Sequence, residues 1–142
     1  MFFIEEIILA AVKKNGHALK YAHSGGILAN HLTAPLMTNE IILAAVNYDG
    51  FTLEYVPAPL LTKEIILAAV NNNVNALRYL HSSGIFANRL PKEMTIEEIF
   101  LEVVKKNGNS LIHVPIKMMT NEIILAAVNN NKLVYNRTPK GE

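Results

Sequence analysis

The seven residues Glu-Ile-Ile-Leu-Ala-Ala-Val stand at Glu6–Val12, Glu40–Val46, Glu64–Val70 and Glu122–Val128, with an altered copy, Glu-Ile-Phe-Leu-Glu-Val-Val, at Glu98–Val104. The copies start at positions 6, 40, 64, 98 and 122, so a longer and a shorter interval alternate. Recurrence at such spacings is the signature of a repeat architecture, in which each unit buries its apolar face only by stacking on its neighbours.

Each copy reads as a helix of about ten residues. Thr38, Thr62, Thr95 and Thr120 precede four of them, and a threonine hydroxyl there accepts a bond from an orphan N–H of the first turn. Glu40, Glu64 and Glu122 follow, where the positive end of the helix dipole favours them. Thr95 with Glu98 has the spacing of a capping box. Asn15-Gly16, Asp49-Gly50 and Asn107-Gly108 are expected to close helices with a left-handed residue. Ile-Ile-Leu also suits a buried strand, but the alanine pairs, acidic starts and glycine stops favour helix.

These helices are apolar nearly all round, which predicts burial on most sides. The central leucines Leu43 and Leu67 are therefore expected in the core. The fourth copy carries Glu102-Val103 in place of the alanine pair. A buried unpaired Glu102 would be costly, so that face is expected to meet solvent or a partner.

A shorter apolar segment follows each of the first four copies, at Ala18–Tyr21, Leu53–Val56, Ala76–Tyr79 and Leu111–Val114. It predicts a second short helix packed on the first, stopped by Pro57 and Pro115 in the shorter units. Tyr21, Tyr55 and Tyr79 recur at one position, a stripe more typical of a core than of a recognition surface.

The longer units carry ten further residues, His23–Leu32 and His81–Leu90. Their apolar residues predict packing against one side of the stack. Residues 6–63 align without gaps on 64–121, with 27 of 58 pairs identical, which points to tandem duplication of a two-hairpin unit. The expected fold is all-α: tandem helical hairpins in a solenoid-like stack, with five units starting near 6, 40, 64, 98 and 122. The expectation is one domain over 1–142 with a polar tail at 136–142.

The run Glu6–Tyr21 resembles a family of short helical repeats catalogued as a domain of unknown function, with the core pattern E-I-[IV]-L-A-A-V-x-x-N-G-x-A-L-x-Y. The resemblance implies an α-helical repeat fold and brings no catalytic residues. Val74 in place of the glycine and His113 in place of the tyrosine depart from the pattern. Residues Ala68–His81 also have an ankyrin-like cadence, without the Thr-Pro-Leu-His signature of that repeat.

Little in the chain suggests chemistry. Cysteine is absent, so disulfides and thiolate metal sites are excluded. His17, His23, His31, His81 and His113 have no ligand spacing, and no metal or cofactor is expected. Gly25-Gly26 lacks the lysine and spacing of a phosphate loop. Ser24, His23 and Glu5 could be drawn as a triad, but nothing suggests a nucleophile elbow or an oxyanion donor. The formal net charge of +1 exerts little pull on nucleic acid, and Lys13-Lys14 and Lys105-Lys106 recur in only two copies. The apolar run Ile7–Val12 is too short for a signal or a membrane span, so an intracellular protein is expected.

The functional expectation is a non-enzymatic scaffold that binds another protein. The alternative is a structural subunit or fragment of a larger assembly, with self-association through the repeat ends. The candidate interaction surface is His23, Ile27, Leu28, His31, His81, Ile85, Phe86 and Arg89 of the inserts, together with Glu102.

Overall fold

The computed structural model describes residues 3–22, 37–80, 90, 92 and 94–130. The chain divides into two compact units, Met1–Pro91 and Lys92–Glu142. The described residues are α-helix, 3-10 helix and short connections, with no strand among them.

Every copy of the seven-residue motif is helical. The helices are α1 (Phe3–Lys14), α3 (Asn39–Tyr48), α4 (Lys63–Asn72), α5 (Ile96–Lys106) and α6 (Asn121–Asn130), with the short α2 (Leu19–Ala22) in the first hairpin. The threonine caps form as expected. The Oγ1 atoms of Thr38, Thr62, Thr95 and Thr120 accept from the N–H groups of Ile41, Ile65, Glu98 and Ile123 at 3.2–3.3 Å. Each cap satisfies one of the orphan donors of its first turn.

In the first unit α1 packs on α3, and α3 on α4; in the second α5 packs on α6. The apolar motif divides its labour. In α3 and α4 the first and second isoleucines, the second alanine and the valine are buried: Ile41, Ile42, Ala45, Val46, and Ile65, Ile66, Ala69, Val70. Leu43 and Leu67 are only half-buried, which corrects the expectation that they sit in the core. They lie about a third of a turn round from Ile42 and Ile66.

The second segments are tighter than an α-helix. Gly50–Tyr55, Val74–Leu80 and Gly108–His113 are 3-10 helices, and the first hairpin has Gly16–Ala18 before α2. Val56 and Val114 leave the helix with ψ of 122° and 123°, as the residue before a proline must. Each proline then opens one more 3-10 turn, Ala58–Leu60 and Ile116–Met118.

The hairpin turn departs from expectation. Asn15, Asp49, Asn73 and Asn107 have φ near −150° (−153°, −153°, −148° and −144°), an extended conformation, and neither Gly16 nor Gly50 is left-handed. One residue both ends the α-helix and caps the 3-10 helix. Its side-chain oxygen accepts from the N–H two residues on, at His17, Phe51, Asn75 and Asn109, over 2.9–3.1 Å. Such side-chain turns are the usual work of Asn and Asp.

The glycines serve close approach instead. A Cβ on Gly50 would stand 2.2 Å from the carbonyl oxygen of Ala69, and one on Gly16 would stand 2.7 Å from that of Ala45. Each turn lies flat on the main chain of the next hairpin's first helix. An asparagine fastens the Gly50 turn: Asn72 Oδ1 accepts from the Gly50 N–H at 2.7 Å, while its Nδ2 donates to the Asn47 carbonyl at 2.8 Å. In the second unit Asn130 takes the Gly108 N–H at 2.7 Å and donates to the Lys105 carbonyl at 3.1 Å. One side chain thus satisfies a helix-end carbonyl and a turn donor together.

Candidate functional site

The side-chain turns set the residue after each glycine position at a fixed place. In the first unit this builds a strip of unlike side chains on a repeated frame. His17 Nε2 lies 2.8 Å from Asp49 Oδ2, joining the first hairpin to the second. The imidazole also meets Tyr55 edge to face, with centroids 6.2 Å apart. One step along, Phe51 and Tyr79 meet edge to face at 6.3 Å, and the Arg78 guanidinium lies 4.5 Å from the Phe51 ring centroid. The Tyr79 hydroxyl donates to Glu54 Oε2 at 3.0 Å and approaches the Phe51 carbonyl at 3.3 Å.

The electrostatics follow this geometry. The Phe51 N–H holds the Asp49 carboxyl below the ordinary range; burial partly offsets this and His17 reinforces it. Burial raises the Tyr55 phenol, with the Glu54 carboxylate adding to the effect. Burial also raises Tyr79, where Arg78 opposes the shift and Glu54 supports it. Both phenols therefore remain neutral donors at physiological pH.

A depressed carboxylate stabilises the fold above its unfolded pKa and loses that contribution as pH falls through its folded pKa. Asp49→Asn keeps the turn acceptor, as Asn15, Asn73 and Asn107 show, removes the charge, and replaces the oxygen that faces His17 with an amide donor. The variant is expected to be less stable than the parent by about 0.2–1 kcal/mol at pH 7, because the pair is partly exposed and screened. That difference should narrow as pH falls below about 4. Urea midpoints measured from pH 5 to pH 3 check it; a gap that does not narrow over that range contradicts the assignment.

The tyrosines do not form a uniform core stripe. Tyr79 is 6% exposed, Tyr55 is half-buried and Tyr21 is 43% exposed. Of the candidate interaction residues, His23, Ile27, Leu28, His31, His81, Ile85, Phe86 and Arg89 lie outside the described residues. Glu102 is half-buried on α5. The strip of His17, Asp49, Phe51, Glu54 and Arg78 is not among the interaction positions expected from the sequence. Its signal is the residue two after each turn Asn or Asp, which reads His, Phe, Asn and Asn along the chain.

In the second unit an open groove of about 510 Å³ is lined by Lys105, Glu122, Leu125, Ala126, Asn129 and Asn130. Among the described residues no group of three or more His, Asp or Glu could hold a metal ion. No helix among them is long and apolar enough to cross a membrane.

Residues 39–83 and 97–140 match the model of a family described as Domain of unknown function (DUF4116). The two matches together span more than half of the chain. The chain belongs to this family. The DUF4116 matches start at α3 and at α5, one period of the internal duplication apart. Glu6–Tyr21, the run whose pattern carried the resemblance, lies outside both matches. Yet α1 packs on α3 as α3 packs on α4. The first DUF4116 match ends at residue 83, so it leaves out most of the second ten-residue insert. Neither a curated protein nor a solved structure matches the chain significantly.

Proposed function

We propose that the chain is a non-enzymatic scaffold that binds a segment of another protein along the strip of hairpin turns in its first unit. The observation that carries this reading is the contrast between frame and strip. The frame repeats: Thr caps, Ile-Ile-Leu-Ala-Ala-Val helices and side-chain turns. The side chain two residues past each turn cap varies: His17 and Phe51 in the first unit stand where Asn75 and Asn109 stand in later turns. Repeat scaffolds recognise partners through such variable positions on a constant frame.

The chemistry of the strip suits a peptide. It offers an aromatic face at Phe51, a guanidinium at Arg78, a carboxylate at Glu54 and an imidazole paired to Asp49. Side-chain caps fix the backbone at His17 and Phe51, and Tyr79 holds Glu54, before a ligand arrives, which lowers the ordering cost of binding.

Selection of binders from a random peptide display library on the full chain tests the proposal. His17→Ala, Phe51→Ala and Arg78→Ala should each weaken the selected peptides at least about tenfold, equal to about 1.4 kcal/mol. Peptides indifferent to all three substitutions would move the binding surface elsewhere.

A further inference from the structure

We propose that copies of this chain stack head to tail, with the open face of α1 in one copy seated on the open face of α6 in the next. This goes beyond the peptide-binding reading and does not depend on it.

Each first helix has two stacking faces. One receives the preceding hairpin and carries the first isoleucine and second alanine. Ile41, Ala45, Ile65 and Ala69 of α3 and α4 are 0% exposed, and Ile123 and Ala127 of α6 are 2% and 0%. The matching residues of α1 are uncovered: Ile7 is 66% exposed and Ala11 is exposed. The other face receives the following hairpin and carries the leucine. Leu9, Leu43 and Leu101 are half-buried where α3, α4 and α6 follow them, whereas Leu125 of α6 is 61% exposed. Ile124 and Val128 are likewise more open than Ile42 at 1% and Val46 at 0%. The chain therefore shows, on α1 and on α6, the two unlike halves of an interface it already makes between α3 and α4 and between α5 and α6.

The polar edge of that interface is also complementary. Asn72 and Asn130 donate to the carbonyls of Asn47 and Lys105, near the end of the preceding helix. Lys14 occupies the same helix position in α1, and its ammonium replaces the amide as donor. Its counterpart on a second copy is the Asn129 carbonyl, at the C-terminal end of α6, where the helix dipole favours a cation. Lys132 aligns in sequence with Gly16, Gly50 and Gly108. The contact between copies rests on the helix faces and Lys14. Because the two faces differ, the contact is heterologous and generates rings or open filaments.

Sedimentation velocity on the full chain, from micromolar to near-millimolar concentration, tests this. The wild type should shift from monomer to dimer and larger species as concentration rises. Ile7→Glu and Leu125→Glu alter exposed side chains and should keep the wild-type circular dichroism and melting temperature. Each alone should sediment as a monomer. Mixed, they should form a dimer and nothing larger, because one intact α1 face meets one intact α6 face. Lys14→Ala should shift the association midpoint to higher concentration. A wild type that stays monomeric overturns the proposal and leaves these faces to a different polypeptide. Assembly that survives both glutamate substitutions, or a mixture that stays monomeric, overturns it as well; the latter would mean like faces pairing.

Discussion

Gly50→Ala is expected to destabilise the chain by about 2–3 kcal/mol, near the top of the usual range for overpacking. The added Cβ would stand 2.2 Å from the Ala69 carbonyl oxygen and 3.1 Å from its carbon. Both are main-chain atoms of α4, so no side chain can swing aside. The turn must lift off the helix, and the bonds of Asn72 to the Gly50 N–H and the Asn47 carbonyl lengthen with it. The sign is diagnostic. A glycine replaced by alanine in a compatible conformation usually gains about 0.4–1 kcal/mol, because the unfolded chain loses freedom. Gly16→Ala should move the same way by less, its Cβ standing 2.7 Å from the Ala45 oxygen. Urea denaturation of both variants measures the effect; a Gly50→Ala protein as stable as its parent would contradict the close approach.

Phe100→Ala should cost about 3–5 kcal/mol within the second unit, the usual range for emptying a buried aromatic site. Phe100 is fully buried on α5, at the place held by Ile8, Ile42, Ile66 and Ile124 in the other copies. The larger ring fills space that the isoleucines of its equivalents do not, so its removal leaves the larger void. Hydrogen exchange locates the damage. Amides of α5 and α6 should lose protection while those of α3 and α4 keep it. Protection lost equally throughout would mean that the chain opens as one cooperative block.

Much of the fold is legible in the residues. The threonine caps, the helices and the proline stops follow from local chemistry, and a cap needs only its own first turn. The burial register is less legible. Six consecutive apolar residues, such as Ile41–Val46, hide which face is the core, because no polar residue interrupts the helical period. Leu43 looks as central as Ile42 and is not. The fastening of one hairpin to the next is hidden for another reason. Asn72 and Asn130 read as ordinary polar helix ends until the neighbouring turn is in place. The signal that marks them is a constant separation from a turn glycine, the same from Gly50 to Asn72 as from Gly108 to Asn130. The aromatic strip is obscured in a similar way. Tyr21, Tyr55 and Tyr79 share a sequence position, but their exposure depends on which neighbour each hairpin has.

The turn glycine meets the second alanine of the following helix at Ala45 and at Ala69 alike. Yet the stretch from Gly16 to Ala45 contains the ten-residue insert, and the stretch from Gly50 to Ala69 does not. The same docking is reached over two chain lengths, so the joint between hairpins does not measure the connection that leads to it. That connection is a splice point. Sequence added between a second segment and the next helix changes neither the turn nor the surface it lands on, and lengthening a loop costs little entropy. A hairpin array built this way gains new surface by insertion without renegotiating its own packing.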